Sequence, residues 1–164
     1  MSVRAVARNE TAADAAVARD PAQLYGMPGH LIRRMHQASQ AIFDAEVTAA
    51  GIDLTSVQFA ALAMIAANPG IDQARLATAI AFDRATTGGV IDRLEAKGLV
   101  RREIVKTDRR ARRLHLEPEG ETTLKIALPV VRHAQSLMLN PLSEKEQATV
   151  LRLLSKAVRT IDTR

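Results

Sequence analysis

Apolar residues recur at helical spacing along most of this chain, and one short stretch breaks the period. From Pro28 onward, Leu31, Met35, Ala38 and Ile42 fall on one side of a helix, flanked by Ile32 and Phe43, until Gly51 ends the run. Thr55 and Gln58 have the spacing of a capping box, in which each side chain satisfies the other residue's free backbone N–H. Phe59, Leu62, Ala63 and Ala66 follow before Asn68-Pro69-Gly70 breaks the pattern. Asp72 is placed to cap a short helix carrying Leu76, Ala77 and Ile80; Asp83 is placed to cap the next, with Val90, Ile91 and Leu94, which Gly98 closes. Only Ala81-Phe82-Asp83 separates those two, the turn expected of a helix-turn-helix.

After Gly98 the period shortens. Leu99, Val100, Ile104 and Val105 are strand formers, and Leu114 and Leu116 alternate with polar neighbours beyond a charged segment, so a β-hairpin is predicted. Its tip, Lys106 to Arg113, has Ala111 as its one apolar residue; it lies in solvent or against a partner. A basic hairpin directly after a helix-turn-helix is a wing. Glu117-Pro118-Glu119-Gly120 then opens a long helix with Leu124, Leu128, Val131 and Met138, kinked near Pro129, where the ring removes a backbone donor. Asn140-Pro141 ends it. Ser143 and Glu146 form a second capping box, and Gln147, Val150, Leu151, Leu154, Ala157, Val158 and Ile161 make an apolar face broader than one helix on a small domain needs. Residues 1–24 have no sustained stripe before Pro21 and read as a mobile arm or a weak helix. The fold class is therefore mainly α with a small β-hairpin.

Charge sharpens this picture. The net charge is +5, from 23 Lys plus Arg against 18 Asp plus Glu. Between Arg84 and Arg113 stand ten basic residues (Arg84, Arg93, Lys97, Arg101, Arg102, Lys106, Arg109, Arg110, Arg112 and Arg113) against four acidic ones (Asp92, Glu95, Glu103 and Asp108), so the local excess is larger than that of the whole chain. The partner is a polyanion. Tyr25, Phe43, Phe59 and Phe82 are the only aromatics, too few for the stacking platforms of single-strand or RNA binders, and duplex DNA fits better.

The second helix of the motif, from Asp83 to Lys97, is the element expected in the major groove. Arg84, Thr86 and Thr87 offer a charge and two hydroxyls at its start, and Arg93 a charge further on. Gly88 and Gly89 each cost a helix about 1 kcal/mol relative to alanine, so the pair has a reason, either close approach to DNA or close packing on another helix. At the wing tip stand Asp108, Arg109, Arg110, Arg112 and Arg113. An arginine entering a narrow minor groove gains from its negative potential, and Asp108 is placed to hold the Arg110 guanidinium.

The stretch Thr86-Thr-Gly-Gly-Val-Ile-Asp-Arg-Leu-Glu-Ala-Lys-Gly-Leu-Val100, then Asp108-Arg-Arg-Ala111 and the Leu116-Glu-Pro-Glu-Gly120 turn, resembles the multiple antibiotic resistance regulator (MarR) family over about residues 28 to 161. With the pattern above, the resemblance divides the chain into a winged helix-turn-helix at 52–117 and a helical dimerisation region at 25–51 and 118–164, beside the arm read at 1–24 from the pattern alone. It further implies a homodimer joined through the first and last two helices, wings in minor grooves with Arg110 as the wing arginine and Asp108 its acidic partner, and a near-palindromic operator. Two positions depart from the family pattern. Gly88 and Gly89 stand where many relatives have threonine and a basic residue, and Glu117 replaces the usual cap threonine.

Tyr25-Gly-Met-Pro-Gly-His-Leu-Ile-Arg-Arg34 opens the first long helix, and His30 shares a face with Arg33 and Arg34, an arrangement able to clamp a carboxylate. Similar openings occur in family members that sense aromatic acids; surface or dimer-interface charges are the other reading of Tyr25, His30, Arg33 and Arg34. The expected effector is a small molecule, an aromatic carboxylate. Metal chemistry is not expected, because His30 and His36 face different ways on a helix and the chain has no cysteine. Nor does a nucleophile motif, a phosphate-binding glycine loop or a HExxH appear, so neither an enzyme nor a cofactor is predicted. With no signal-peptide pattern and no 18-residue apolar stretch, a cytoplasmic protein away from the membrane is expected. A sequence-tolerant architectural DNA binder and a winged ligand-binding protein without DNA binding are the competing classes.

Overall fold

The computed structural model describes residues 21–105 and 108–162, with side-chain environments for 23–104 and 112–159. Its elements run α1 (Pro21–Gly26), α2 (Pro28–Ala49), α3 (Ser56–Ala67), β1 (Ile71–Asp72), α4 (Gln73–Ala79), α5 (Arg84–Ala96), β2 (Val100–Val105), β3 (Asp108–Leu116), α6 (Pro118–Leu139) and α7 (Glu144–Asp162). The expected class, mainly α with a small sheet, is the one observed. Of the segment read as an arm or a weak helix, residues 21–24 are helical and belong to α1, where Pro21 occupies the first turn and its missing N–H costs nothing; residues 1–20 lie outside the described residues.

The chain divides into two compact units at Ser39/Gln40. In the first, Leu24, Tyr25, Met27, Leu31, Ile32 and Met35 are all exposed. The second holds the core. There Leu54, Ala61, Leu62 and Ile65 meet Leu76 of α4, Val90, Ile91 and Leu94 of α5, and Leu99, Val100 and Leu114 of the sheet, with Ala127 of α6 completing the cluster. Phe43, Val47 and Val131 form a smaller cluster joining the end of α2 to α6.

Local chemistry sets the helix starts as the sequence implies. Thr55 and Gln58 exchange both hydrogen bonds of a capping box, Thr55 N–H donating to Gln58 Oε1 at 3.0 Å. Asp72 accepts the Arg75 N–H at 2.9 Å. Glu117 sits at the N-cap of α6 without a side-chain cap bond, and Pro118 supplies the first turn. α6 runs through Pro129 to Leu139 without a break.

The sheet is antiparallel in the order β1-β3-β2. Val100 pairs with Leu116 and Arg102 with Leu114, and a register shift between Ile104 and Val105 marks where the hairpin leaves the core. β1, two residues long, pairs Ile71 with Leu114. No alternation announces so short a strand.

Gly120 positions α6. A Cβ there would stand 2.1 Å from the Leu99 carbonyl oxygen, the same oxygen that accepts the Glu117 N–H at 3.0 Å. The helix therefore starts pressed onto the end of the helix-turn-helix, and only glycine permits it.

Candidate nucleic-acid interface

The turn into α5 contains Ala81 in the left-handed region, φ 57°. For a residue with a Cβ this costs about 1 kcal/mol, and it sets the short Ala81-Phe82-Asp83 turn. Asp83 then caps α5: Oδ1 accepts the Thr86 N–H at 2.8 Å and Oδ2 the Thr86 hydroxyl at 2.6 Å. Those bonds, the hydroxyl's first, hold the carboxyl below its ordinary value. The positive end of the helix is thus already neutralised from within. Anything α5 reads, it reads with side chains and bare backbone along its exposed face.

That face carries Arg84, Thr86 and Arg93. Thr87 is withdrawn from it: the side chain is fully buried and its hydroxyl donates to the Asp83 carbonyl at 2.8 Å. Helical geometry explains this, since Thr87 shares its side with Val90, Ile91 and Leu94. The two glycines separate. A Cβ at Gly88 would come within 3.1 Å of Gln73 Nε2, so packing against α4 accounts for part of its presence. At Gly89 nothing lies within 4 Å, and the helix presents naked backbone there.

Much of the basic run is spent within the protein. Lys97 Nζ is 2.7 Å from Asp53 Oδ2, and Arg101 reaches Glu103 and Glu117, each at 3.3 Å. Arg102 reaches Asp92 and Glu95 on α5. Among the described residues no ion pair engages Arg84 or Arg93 of this face, nor Arg113, whose side chain lies beside Gly70 next to β1. Arg112 is exposed. At Asp108, Arg109 and Arg110 the structure gives the backbone of β3, while their side chains, like residues 106 and 107, lie outside the described residues.

In the first unit Tyr25 stands edge-on to His30, with ring centroids 5.5 Å apart. His30 Nε2 is buried without a hydrogen-bond partner, and Arg33 and Arg34 are exposed. The histidines elsewhere have acidic neighbours that sequence spacing did not reveal: His115 Nε2 is 3.2 Å from Glu103 and His133 Nε2 is 3.9 Å from Glu46. Among the described residues no three such groups are placed to hold a metal ion, and no helix is long and apolar enough to cross a membrane.

Comparison with known proteins places this geometry. The pattern of the MarR family matches residues 52–111. The transcriptional regulator HosA of Escherichia coli O127:H6 is 35% identical over 131 residues, which span 80% of this chain and 94% of HosA. The structure of Bordetella bronchiseptica BpsR, whose DNA binding is regulated by 6-hydroxynicotinic acid, superposes with a TM-score of 0.74 at 30% identity, covering 79% of this chain and 97% of BpsR. The transcriptional repressor CouR bound to a DNA duplex gives a TM-score of 0.76 at 28% identity, covering 83% and 95% of the two chains.

Proposed function

Because this chain belongs to the MarR family of transcriptional regulators, we propose that it is a repressor that grips a near-palindromic duplex operator as a homodimer and releases it when a small aromatic acid binds. The observation that carries the reading is the exposed face of α5, where Arg84 and Arg93 flank the bare backbone at Gly89, followed in the chain by an arginine-bearing hairpin. α5 enters the major groove with Arg84, Thr86, Gly88, Gly89 and Arg93 toward the bases and phosphates, and Arg109, Arg110 and Arg112 of the wing reach the adjacent minor groove, with Asp108 holding Arg110.

Two further features support the dimer and the ligand. α7 exposes Leu151, Leu154 and Val158 on one side, an apolar face that a second copy of the chain covers in this reading. Around Tyr25 and His30, an unsatisfied buried ring nitrogen stands near an aromatic ring and the cations Arg33 and Arg34, the chemistry that suits a planar carboxylate.

Gel shifts with duplexes from the region upstream of the chain's own gene, across a salt series, test the reading. A specific regulator shows one preferred duplex and an affinity that falls steeply with salt, the slope being about 0.9 per neutralised phosphate. Arg110→Ala is expected to weaken that complex by about 1–3 kcal/mol. 6-Hydroxynicotinate is expected to release it, and His30→Ala to keep DNA binding while losing that release. A salt slope without a preferred duplex would make the protein an architectural binder instead; no shift even in dilute buffer would end the DNA reading.

A further inference from the structure

We propose that Arg102 is a positioning residue: a clamp that fixes the wing to the reading helix and makes the two one rigid DNA-reading body, without itself touching DNA. The proposal rests on the DNA reading above but concerns a side chain that the composition of the basic run would assign to the phosphates.

The geometry is specific. Arg102 lies in β2, paired with Leu114, whose side chain is fully buried, so the backbone at this point is anchored in the core. Its guanidinium spans two carboxylates on α5: Nη2 stands 2.5 Å from Asp92 Oδ1, and Nη1 donates to Glu95 Oε2. The backbone N–H of the same residue donates to Glu95 Oε1 at 3.3 Å. Asp92 and Glu95 are three residues apart, neighbours on one side of the helix, and both are on its exposed surface. The Arg102 side chain is 23% exposed, against 50% for its neighbour Arg101.

From Arg102 the strand continues to Val105, which pairs with Asp108 at the start of the returning strand. Fixing Arg102 therefore fixes the direction in which the hairpin leaves the core relative to α5. A guanidinium is suited to this because its planar fork serves two acceptors at once; a lysine ammonium is a point charge and does not impose an angle. The carboxylates of Asp92 and Glu95 are 67% and 40% exposed, and pairs whose acidic partners are open to solvent add little to global stability, so orientation rather than folding is what such a clamp supplies.

Opposite signs separate this from a phosphate contact. If Arg102 bound DNA, Asp92 and Glu95 would compete for it, and neutralising them would strengthen the operator complex. If it is a clamp, neutralising them weakens operator selectivity as surely as removing the arginine. The experiment measures operator and non-operator affinities at one salt concentration for wild type, Arg102→Ala, Arg102→Lys and the pair Asp92→Asn with Glu95→Gln. It also measures hydrogen exchange of the β2 amides without DNA. Expected is a fall of about tenfold in the operator to non-operator ratio for all three variants, an unchanged salt slope for Arg102→Ala, and faster exchange at Arg101 to Ile104 with Tm held. Wild-type affinity in Arg102→Lys, a higher ratio in the neutralised pair, or a salt slope reduced by about one in Arg102→Ala would make Arg102 a phosphate contact and overturn the clamp. Unchanged exchange would overturn it on its own. A wild-type protein with no preferred duplex would instead sink the DNA reading, while exchange still decides whether the clamp exists.

Discussion

The helix-turn-helix and the last helix use leucine in opposite ways. Leu62, Leu76, Leu94 and Leu114 have no exposed surface, whereas Leu151, Leu153 and Leu154 of α7 are 54%, 50% and 48% exposed. Both have a well-formed helix start, so capping does not distinguish them; periodicity does, since α3 is apolar nearly all round while α7 divides sharply into an apolar and a charged side. The difference is closure. Three helices and a hairpin supply one another with apolar partners inside a single protomer; among the described residues nothing covers the apolar side of α7. A buried leucine is worth about 1.5–3 kcal/mol relative to an exposed one, so several left open favour association strongly. The helix-turn-helix closes its own core, whereas the exposed leucines of α7 are the feature from which the proposed homodimer is argued.

The comparison breaks most severely at Gly120, where α6 leaves the closed body. In Gly120→Ala the new methyl meets the Leu99 carbonyl, a backbone atom that cannot swing aside. We expect a loss of about 3 kcal/mol in folding stability, measured by urea unfolding. Its magnitude should not change with protein concentration, since the damage lies inside one protomer. Leu154→Ala should behave in the reverse manner. It is expected to raise the dimer dissociation constant by tenfold or more, about 1.5–3 kcal/mol, in sedimentation equilibrium, with the unfolding of dilute protein unchanged. If Leu154→Ala instead destabilised the dilute protomer, α7 would belong to the closed core and the contrast would vanish.

These same features mark what a sequence reader can and cannot see. Every helix of the DNA-reading body was legible because its start carries a polar cap at fixed spacing and its buried face repeats: Thr55 with Gln58, Asp72 and Asp83 all cap the helices expected of them. The hairpin showed in its change of period. What escaped depends on meetings across space. Gly120 is visible as part of a motif, but its reason, the Leu99 carbonyl, comes from twenty-one residues upstream in the chain. Arg102 reads as one more cation until the fold sets it against Asp92 and Glu95. Thr87 was placed with Thr86 on the outer face, and one helical step of 100° about the axis turns it inward instead. β1 left no trace, because two residues are too few to alternate.

The smallest expected effect probes the helix starts that the two regions share. Asp83 at α5 accepts from the Thr86 hydroxyl and N–H, and Glu146 at α7 accepts from the Ser143 hydroxyl and N–H; both carboxyls are held below their ordinary values of 3.8 and 4.5. A group whose value is lowered by folding favours the folded state fully above its ordinary value and ceases to do so as pH falls through the lowered one. Each cap is therefore constant from about pH 8 to about pH 5 and fades below about pH 4. Asp83→Asn keeps an acceptor oxygen but cannot titrate, so the stability gap between wild type and this variant should be flat at neutral pH and narrow on acidification. A gap that widened in acid would reverse the sign and show that Asp83 is not held ionised by Thr86. For Glu146→Gln the same narrowing should appear in the concentration-dependent, dimer part of the unfolding curve if, as proposed, the helix it starts is covered by a second copy. Finding it in the dilute protomer would say that α7 and α5 are stabilised alike, the one result that the opposite exposure of their leucines forbids.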